Sequence, residues 1–308
     1  MLISIGEILV DIFKSEKGET ALPGGAPFNL ACNALNYTRD VYFVGAVGND
    51  ENGRMLLKVA NEKGFVKNGV KVLMDRETTR AVVTLKDGER SFTFERDNGA
   101  DYRLSLDDVD FSLIKSGDIV HVGSLMLSYK EGIQFFNSLV KKIKEIKGVK
   151  LSFDINYRDD IFPSSESAKE IFINALKQAD ILKFSDDELI LLSGETNIAT
   201  ALKNLLKTQQ IAVITLGKNG SMLYKEGKIY QQETLPVKPV DTTGAGDAFY
   251  SYFLSSLVNH PHLLDDEKMI HQYLFRSNIV GGLTTLKKGA IGVAPLEQEI
   301  DDYIVSHT

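Results

Sequence analysis

Cysteine, tryptophan and long apolar runs are what this 308-residue sequence has least of. Cys32 is the single cysteine, so an intrachain disulfide is excluded, and so is a zinc cluster built on thiolates. The five histidines form no spaced metal motif. No run reaches the roughly 18–20 uninterrupted apolar residues of a membrane helix. The first residues carry Glu7 and no basic leader, which argues against a signal peptide. We therefore expect a cytoplasmic protein with no membrane partner.

Positively charged residues are also fewer than negatively charged ones. Lysine and arginine number 35 against 42 aspartates and glutamates, which gives a formal net charge of −7. An acidic chain is a poor candidate for binding a polyanion such as duplex DNA, and we expect no nucleic-acid partner. A small anion held at one local site remains compatible with this charge.

Short apolar runs alternate with segments of helical periodicity along the chain. The predicted core strands are residues 2–10, 41–47, 118–124, 149–155, 179–185 and 211–217. Polar or glycine-rich residues and then a helix-like segment follow each of them. This alternation predicts an α/β fold.

One region departs from the alternation. Residues 78–94 read as two strand-like runs around the turn residues 86–88, which predicts a β-hairpin without a crossover helix. Residues 19–23 are a further candidate for extended chain. We expect a single domain over 1–308 with a small β-sheet lid inserted from about 10–25 and 68–98. A small exposed sheet has edges that need cover, which would allow a homodimer through the lids.

The strongest motif is DTTGAGD, residues 241–247. Its small residues let the backbone approach a ligand closely, and the N–H groups of the following helix start can hold a phosphate or a developing negative charge. Asp247 lies in the predicted first turn, where a carboxylate could take a proton from a hydroxyl that attacks phosphorus. The motif alone fits an ordinary helix start equally well.

Weaker signals lie in GGAPFN, residues 24–29, and after two strands. Gly24 and Gly25 permit tight turning, and Asn29 could hydrogen-bond sugar hydroxyls as donor and acceptor. Asp11 and Arg158 follow predicted strands, and ligands of open α/β sheets bind beyond the carboxyl ends of the strands. Each signal alone is more often a turn or a solvated loop residue.

Together these motifs resemble the ribokinase-like pfkB family of carbohydrate kinases. GGAPFN and DTTGAGD match the two family signatures in order and separation, and DINYR (154–158), KFSDDE (183–188) and TLGKNG (215–220) lie between them. The resemblance covers essentially the whole chain and is greatest to bacterial fructokinases, with 2-keto-3-deoxygluconate kinases the nearest competitors. It implies a three-layer α/β/α core with a mostly parallel central sheet and a β-lid.

The resemblance also implies an activity and residue roles. The reaction would transfer the γ-phosphoryl group of Mg-ATP to a primary hydroxyl of a ketose, fructose giving fructose 6-phosphate. Asp247 would be the general base, and Gly244, Ala245 and Gly246 would form the anion hole. The implied sugar contacts are Asp11, Gly24, Gly25, Asn29, Phe94, Arg96 and Arg158. The implied nucleotide and magnesium residues are Lys183, Ser185, Glu188, Thr215, Gly217, Gly220 and Asn278. Asp241, Thr243 and Gly289 resemble a monovalent-cation site, for which we expect K⁺.

Other readings stay open at this point. Arg96 and Arg158 could clamp a carboxylate bidentately, which would favour a sugar acid. A nucleoside kinase and a non-catalytic sugar- or nucleotide-binding protein share the fold. A Rossmann oxidoreductase lacks support because no glycine-rich turn follows the first strand, and no GxxxxGK[ST] sequence indicates a P-loop. The chain departs from the family pattern at Thr38, Ser185 and Tyr252, and at Tyr252 we expect altered helix packing.

Overall fold

A computed structural model of the chain describes residues 1–15, 18–65, 69–86 and 89–307. Along these residues the strands are β1 (Leu2–Ile5), β2 (Leu9–Ser15), β3 (Gly18–Gly24), β4 (Val41–Gly48), β5 (Val70–Leu73), β6 (Arg80–Lys86), β7 (Glu89–Glu95), β8 (Ile119–Val122), β9 (Lys150–Asp154), β10 (Ile181–Ser185), β11 (Ile211–Thr215), β12 (Ser221–Lys225) and β13 (Lys228–Gln232). The helices are α1 (Ala26–Ala34), α2 (Glu51–Glu62), α3 (Lys130–Glu145), α4 (Ser165–Leu176), α5 (Asp186–Ser193), α6 (Ile198–Leu205), α7 (Ala245–Asn259), α8 (Glu267–Thr284) and α9 (Glu297–His307). Short 3₁₀ helices cover Leu106–Asp108, Phe111–Leu113, Leu125–Ser128, Asp159–Ile161, Gly217–Asn219 and Leu263–Asp265.

Within the described residues, a large sheet runs β13-β12-β11-β10-β9-β8-β1-β4-β5. Its pairs are parallel apart from β11–β12 and β12–β13. Strands β1 and β8 are buried at every position, as is usual for parallel strands covered on both faces.

Alternate residues of these strands enter two separate cores. Ile3 and Val120 pack into a cluster that contains side chains of α3 and α4. Leu2 and Ile119 pack on the other face, with side chains of α7 and α8. The predicted α/β/α sandwich with a mostly parallel sheet is therefore confirmed.

The predicted strand over residues 2–10 is in fact two strands in different sheets. The chain leaves the large sheet after Ile5, turns at Gly6 with φ 148°, and enters the small sheet at Leu9. A side chain could not be placed at Gly6, since a Cβ there would lie 2.8 Å from Pro27 Cγ. The apolar run concealed this break because residues 2–10 are buried on both sides of it.

The small sheet has the order β3-β2-β6-β7. β2 pairs antiparallel with β3, and β6 pairs antiparallel with β7. Strand β5, which lies inside the predicted lid segment 68–98, instead pairs in parallel with β4 and forms an edge of the large sheet. Residues 16–17, 66–68 and 87–88, which include part of the predicted hairpin turn, lie outside the described residues.

The segment between α8 and α9 is fastened to helix α1. The side-chain amides of Asn33 and Asn36 donate to the carbonyl oxygens of Ala290 and Ala294, at 3.1 Å each. This places the loop around Ala290 against the start of α7. Among the described residues, no helix is long and apolar enough to cross a membrane.

Tyr252 joins α7 to α8 through a polar contact. The Nε of Arg276 donates to the Tyr252 hydroxyl at 2.6 Å, and the guanidinium also pairs with Glu297 and Asp301 of α9. The ring of Tyr252 meets that of Tyr37 edge to face. A large side chain at position 252 thus takes part in packing the C-terminal helix.

Candidate active site

A cavity of about 590 Å³ lies between the carboxyl ends of the central strands and the small sheet. The core contributes Asn29, Arg158 and Asp247, and the small sheet contributes Asp11 and Phe94. Residues 218 positions apart in sequence, Asn29 and Asp247, meet here because α1 packs on α7. The full lining of the described chain is Glu7, Leu9, Asp11, Gly25, Ala26, Asn29, Ala81, Phe94, Leu125, Asn156, Tyr157, Arg158, Asp159, Lys183, Thr242, Thr243, Gly244, Gly246 and Asp247.

Asp247 occupies the first turn of α7. Its Oδ2 accepts a hydrogen bond from Asn29 Nδ2 at 2.8 Å. Burial raises the pKa of Asp247 to about 6, even though the bond from Asn29 favours the ionised form. Such a carboxyl group is mostly ionised at neutral pH, yet basic enough to take up a proton.

The backbone before Asp247 needs glycine at position 244. Gly244 has a left-handed φ of 74°, and a Cβ there would lie 2.5 Å from the Cβ of Ala290. Gly244 and Gly246 line the cavity, whereas the N–H of Ala245 donates to the Thr242 carbonyl at 3.3 Å. The first N–H groups of a helix have no acceptor within that helix, so this turn can hold an anion.

Asp241 ties the loop before α7 to the loop after α8. Its two carboxylate oxygens accept hydrogen bonds from the N–H of Thr243 at 2.9 Å and from the N–H of Gly289 at 3.2 Å. The side chain of Asp241 is buried. The three residues predicted for a monovalent cation are therefore neighbours in space.

Gly24 and Gly25 lie where a side chain would collide with Asp11 or with the backbone of Glu7. A Cβ at Gly24 would lie 2.4 Å from Asp11 Oδ2, and one at Gly25, where φ is 103°, would lie 2.4 Å from the Glu7 carbonyl oxygen. Burial and the nearby Asp247 raise the pKa of Asp11 to about 7, while Arg158 acts in the opposite direction. Gly25 lines the cavity and Gly24 lies directly behind Asp11.

Arg96 departs from its expected place as a sugar contact. It is not part of the described cavity lining, and its side chain is 3% exposed. Its Nη2 lies 2.5 Å from Asp101 Oδ2, and its Nη1 donates to Ser128 Oγ and to the carbonyl of Leu125. This geometry gives no support to the predicted sugar contact, because the guanidinium is already held by protein acceptors.

Lys183 lines the cavity from β10. Its Nζ lies 2.9 and 2.8 Å from the two carboxylate oxygens of Asp154. A Cβ added to Gly246 would lie 3.4 Å from this ammonium group, so the cation sits beneath the start of α7.

Ser185 and Glu188 form a capping box at the start of α5. The Glu188 carboxylate accepts from the N–H of Ser185 at 2.7 Å and from the N–H of Tyr157 at 2.8 Å. This acid therefore links the loops that follow β9 and β10. Ser185, predicted as a departure from the family pattern, caps this helix.

The other residues predicted for the nucleotide line neither this cavity nor a second one of about 480 Å³, but they adjoin residues of the second lining, which includes Leu216, Asn219 and Glu233. Thr215 and Gly217 flank Leu216, and Thr215 Oγ1 donates to the Phe184 carbonyl at 3.3 Å. A Cβ at Gly220 would lie 2.1 Å from the Gln232 carbonyl oxygen. Asn278 donates to the same carbonyl at 3.1 Å, so its amide holds the end of β13.

Glu7 is one of the lining residues that were not among the predicted site residues, as are Asn156, Tyr157, Asp159 and Thr242. Glu7 is fully buried, and burial, with Asp101 and Asp247 adding to it, raises its pKa to about 8. Neither carboxyl oxygen reaches a side-chain donor among the described residues. The signal that could have revealed Glu7 is its charge, because it stands inside the otherwise apolar run of residues 2–10.

Proteins named as fructokinases or probable fructokinases resemble this chain over nearly its whole length. It is 34% identical to "Probable fructokinase-2" of Arabidopsis thaliana over 310 residues, which cover 97% of this chain and 94% of that protein. It is 35% identical to "Fructokinase-1" of Zea mays over 311 residues, which cover 97% and 96%.

Solved structures of fructokinases also match this chain over nearly its whole length. Fructokinase from Vibrio cholerae O395, crystallised with fructose, ADP and a calcium ion, matches with a TM-score of 0.88 and 28% identity over 98% of each chain. Fructokinase from Xylella fastidiosa with bound ATP matches with a TM-score of 0.90 and 25% identity, over 99% of this chain and 98% of that one. A family profile described as "pfkB family carbohydrate kinase" matches residues 2–297. This chain therefore belongs to the pfkB family of carbohydrate kinases.

Proposed function

We propose that the chain is an ATP-dependent fructokinase, which transfers the γ-phosphoryl group of Mg-ATP to the primary 6-hydroxyl of fructose. The observation that carries this proposal is the buried Asp247 at the start of α7, held by Asn29 inside the cavity between the two sheets. Its relatives named fructokinase, among them a crystal structure with fructose and ADP, supply the substrate class.

Asp247 is proposed to be the general base. A carboxylate with a pKa near 6 can accept the proton of the 6-hydroxyl as that oxygen attacks phosphorus. Phosphoryl transfer needs little covalent help, so holding the hydroxyl in line contributes most of the rate. The hydrogen bond from Asn29 fixes the carboxylate in place for this step.

The turn of residues 244–246 is proposed to stabilise the transferring group. The left-handed Gly244 and the N–H groups of Gly246 and Asp247, which have no acceptor within the helix, give a concave surface for phosphoryl oxygens. The ammonium of Lys183 lies beneath this turn and adds positive charge. Magnesium bound with the nucleotide would neutralise charge on the β- and γ-phosphates.

Magnesium and potassium are proposed to bind at different places. No cluster of three His, Cys, Asp or Glu side chains among the described residues could hold a metal unaided, which fits an ion that arrives with phosphates. We propose that Glu188 orients water of that ion. We propose that Asp241 holds the monovalent cation, because its buried carboxylate accepts from the N–H groups of Thr243 and Gly289 and so joins the two loops predicted to form that site.

The sugar is proposed to lie among Asp11, Asn29 and Arg158, with Gly24 and Gly25 giving close access. Phe94 and Ala81 of the small sheet form the apolar wall that would exclude water and so suppress ATP hydrolysis. The nucleotide is proposed to extend from Lys183 toward the second cavity beside Thr215, Gly217, Gly220 and Asn278.

The charges of the site favour a neutral ketose over a sugar acid. Glu7, Asp11, Asp159 and Asp247 line the described cavity, and Arg158 and Lys183 are its cationic side chains. Arg96, which could have completed a clamp for a carboxylate, is bound to Asp101. A substrate carboxylate would thus face Asp11, Asp159 and Asp247, with Arg158 as the arginine that lines the sugar side.

The test is an assay of ADP release from Mg-ATP with fructose, ribose and nucleosides, combined with ³¹P NMR of the sugar product. We expect ADP release that depends on fructose, and phosphate on the 6-hydroxyl. Fructose binding without ADP release would identify a binding protein, and a preference for nucleosides would overturn the fructokinase proposal.

Pairing through the small sheet stays a prediction. Strands β3 and β7 lie at its two edges, and open edges are sites where a second copy can add. Sedimentation velocity would test it: a mass of one chain would contradict the homodimer.

A further inference from the structure

The Arg96–Asp101 ion pair lies at the root of the hairpin β6–β7. Arg96 follows the last residue of β7, and Thr79 precedes the first residue of β6. Both are bound by Asp101: Arg96 Nη2 lies 2.5 Å from Oδ2, and Thr79 Oγ1 donates to Oδ1 at 2.5 Å. Asp101 therefore fastens the two ends of the hairpin to each other and is itself fully buried.

The guanidinium of Arg96 lies just behind the cavity wall. Its Nη1 donates at 3.2 Å to the carbonyl of Leu125, a residue that lines the cavity. Its charged group lies 5.4 and 5.2 Å from the ring centres of Tyr102 and Tyr129, which stack on each other. The buried Glu7, also in the cavity lining, is close enough for Arg96 to lower its pKa.

Resting on the fructokinase function proposed above, we propose that Asp101 is a positioning residue for substrate choice. It binds Arg96 behind the wall and so withholds from the sugar the second guanidinium that a carboxylate would need. The site is thereby restricted to neutral ketoses, because Arg158 already faces Asp11 and Asp247 on that side and Arg96 cannot serve as the second guanidinium for a substrate carboxylate.

Among the acceptors that hold Arg96, Asp101 is the one that carries a negative charge. An arginine that is buried must have its charge compensated, and Asp101 does this inside the protein. Without the Asp101 charge, the carboxylate of a substrate is the group that can pair with Arg96, in the planar two-bond geometry that guanidinium favours. Removing Asp101 should therefore move preference toward acids rather than merely lower all activity.

The experiment compares wild type with Asp101→Asn and Asp101→Ser. For each, kcat/KM is measured with fructose and with 2-keto-3-deoxygluconate, and thermal unfolding is followed with each sugar. We expect the acid-to-fructose ratio of kcat/KM to rise by at least about tenfold in both variants. We also expect the acid to raise the Tm of the variants and not that of wild type.

The matched control is the double variant Arg96→Met with Asp101→Leu, which replaces the pair by apolar side chains of similar size. It should fold and should not gain use of the acid, because the guanidinium is gone. A gain in this control would show that Arg96 is not the group involved and would overturn the proposal.

Two further outcomes would also overturn it. In the first, the single variants fold and the ratio stays at the wild-type value. In the second, neither single variant folds with or without the acid, which would make the pair purely structural. The fructokinase proposal fails by a different result, namely absence of fructose-dependent ADP release in wild type.

Discussion

Two buried pairs of a cation with an aspartate flank the cavity, and they differ in access to it. Lys183 and Asp154 are 8% and 6% exposed, with 2.8 Å between Nζ and Oδ2, and the lysine lines the cavity. Arg96 and Asp101 are 3% and 0% exposed, and the arginine lies behind the wall. Both pairs join a cation to an aspartate. Lys183 lines the cavity on the side proposed for the phosphoryl group, whereas Asp101 holds Arg96 outside the lining on the side proposed for the sugar.

The environment of Lys183 keeps it charged. Burial lowers its pKa, but Asp154 and Glu188 outweigh burial, so the pKa is raised overall. The neighbouring His121 is fully buried, and burial together with Lys183 lowers its pKa to about 3, so the imidazole stays neutral. A lysine has a flexible stem and can follow a moving phosphoryl group, whereas the fork of Arg96 is fixed by several acceptors.

The largest effect on turnover is expected from replacing Asp247, the proposed general base. Asp247→Asn removes the proposed base and should lower kcat by about 10²–10⁴. Fructose binding should persist, because the amide keeps the shape of the side chain. A coupled assay gives kcat, and calorimetry with fructose is the control. A wild-type kcat in this variant would contradict the proposed base.

The next largest effect is expected when the Lys183–Asp154 pair is broken. Lys183→Met leaves Asp154 buried without a partner and should lower the free energy of unfolding by about 3–5 kcal/mol. It should also reduce kcat, because positive charge is lost beneath the helix start. The double variant Lys183→Met with Asp154→Leu should recover stability in urea titrations but not kcat. Recovery of both would mean that Lys183 is structural only.

For the Arg96–Asp101 pair we expect the double variant to keep turnover as well as stability. Replacing both members, with Arg96→Met and Asp101→Leu, should leave stability similar to or above that of wild type, since apolar replacements of buried pairs are often neutral or stabilising by about 1–4 kcal/mol. Most fructose turnover should be retained. The same coupled assay and urea titration check this; loss of turnover comparable to that of the Lys183 double variant would erase the difference between the two pairs.

The smallest expected effect is a shift in the pH dependence of kcat/KM. Turnover should fall as pH drops through about 6, because Asp247 becomes protonated there and can no longer accept a proton. Asn29→Ala removes a hydrogen bond that favours the ionised carboxylate, so its pKa should rise and the acidic limb should move to higher pH. The measurement is kcat/KM between pH 5 and 8, and a limb that moves to lower pH would contradict the assigned hydrogen bond.

The sequence was informative where chemistry lies in contiguous motifs. DTTGAGD predicted a glycine-rich helix start with an acid in its first turn, and the structure has Gly244 at the N-cap and Asp247 in that turn. The central strands were predictable because their apolar runs are short and separated by polar turns. Prediction was weaker where the partner is distant or the run is continuous.

Arg96 and the 2–10 run illustrate these limits. Periodicity cannot show that the charge of Arg96 is bound by Asp101, although Asp101 lies five positions along the chain. It also cannot show that β1 and β2 belong to different sheets, since residues 2–10 are all buried and only Gly6 marks the break. The edge position of β5 depends on its pairing with β4, which no local pattern encodes.

The most direct test of the account is the substrate preference of the wild-type protein. With Mg-ATP at neutral pH, kcat/KM is measured side by side for fructose and for 2-keto-3-deoxygluconate. If Lys183 serves the phosphoryl group and Arg96 is withheld from the sugar, fructose should be preferred by about a hundredfold or more. Equal use of the two sugars, or a preference for the acid, would contradict the account.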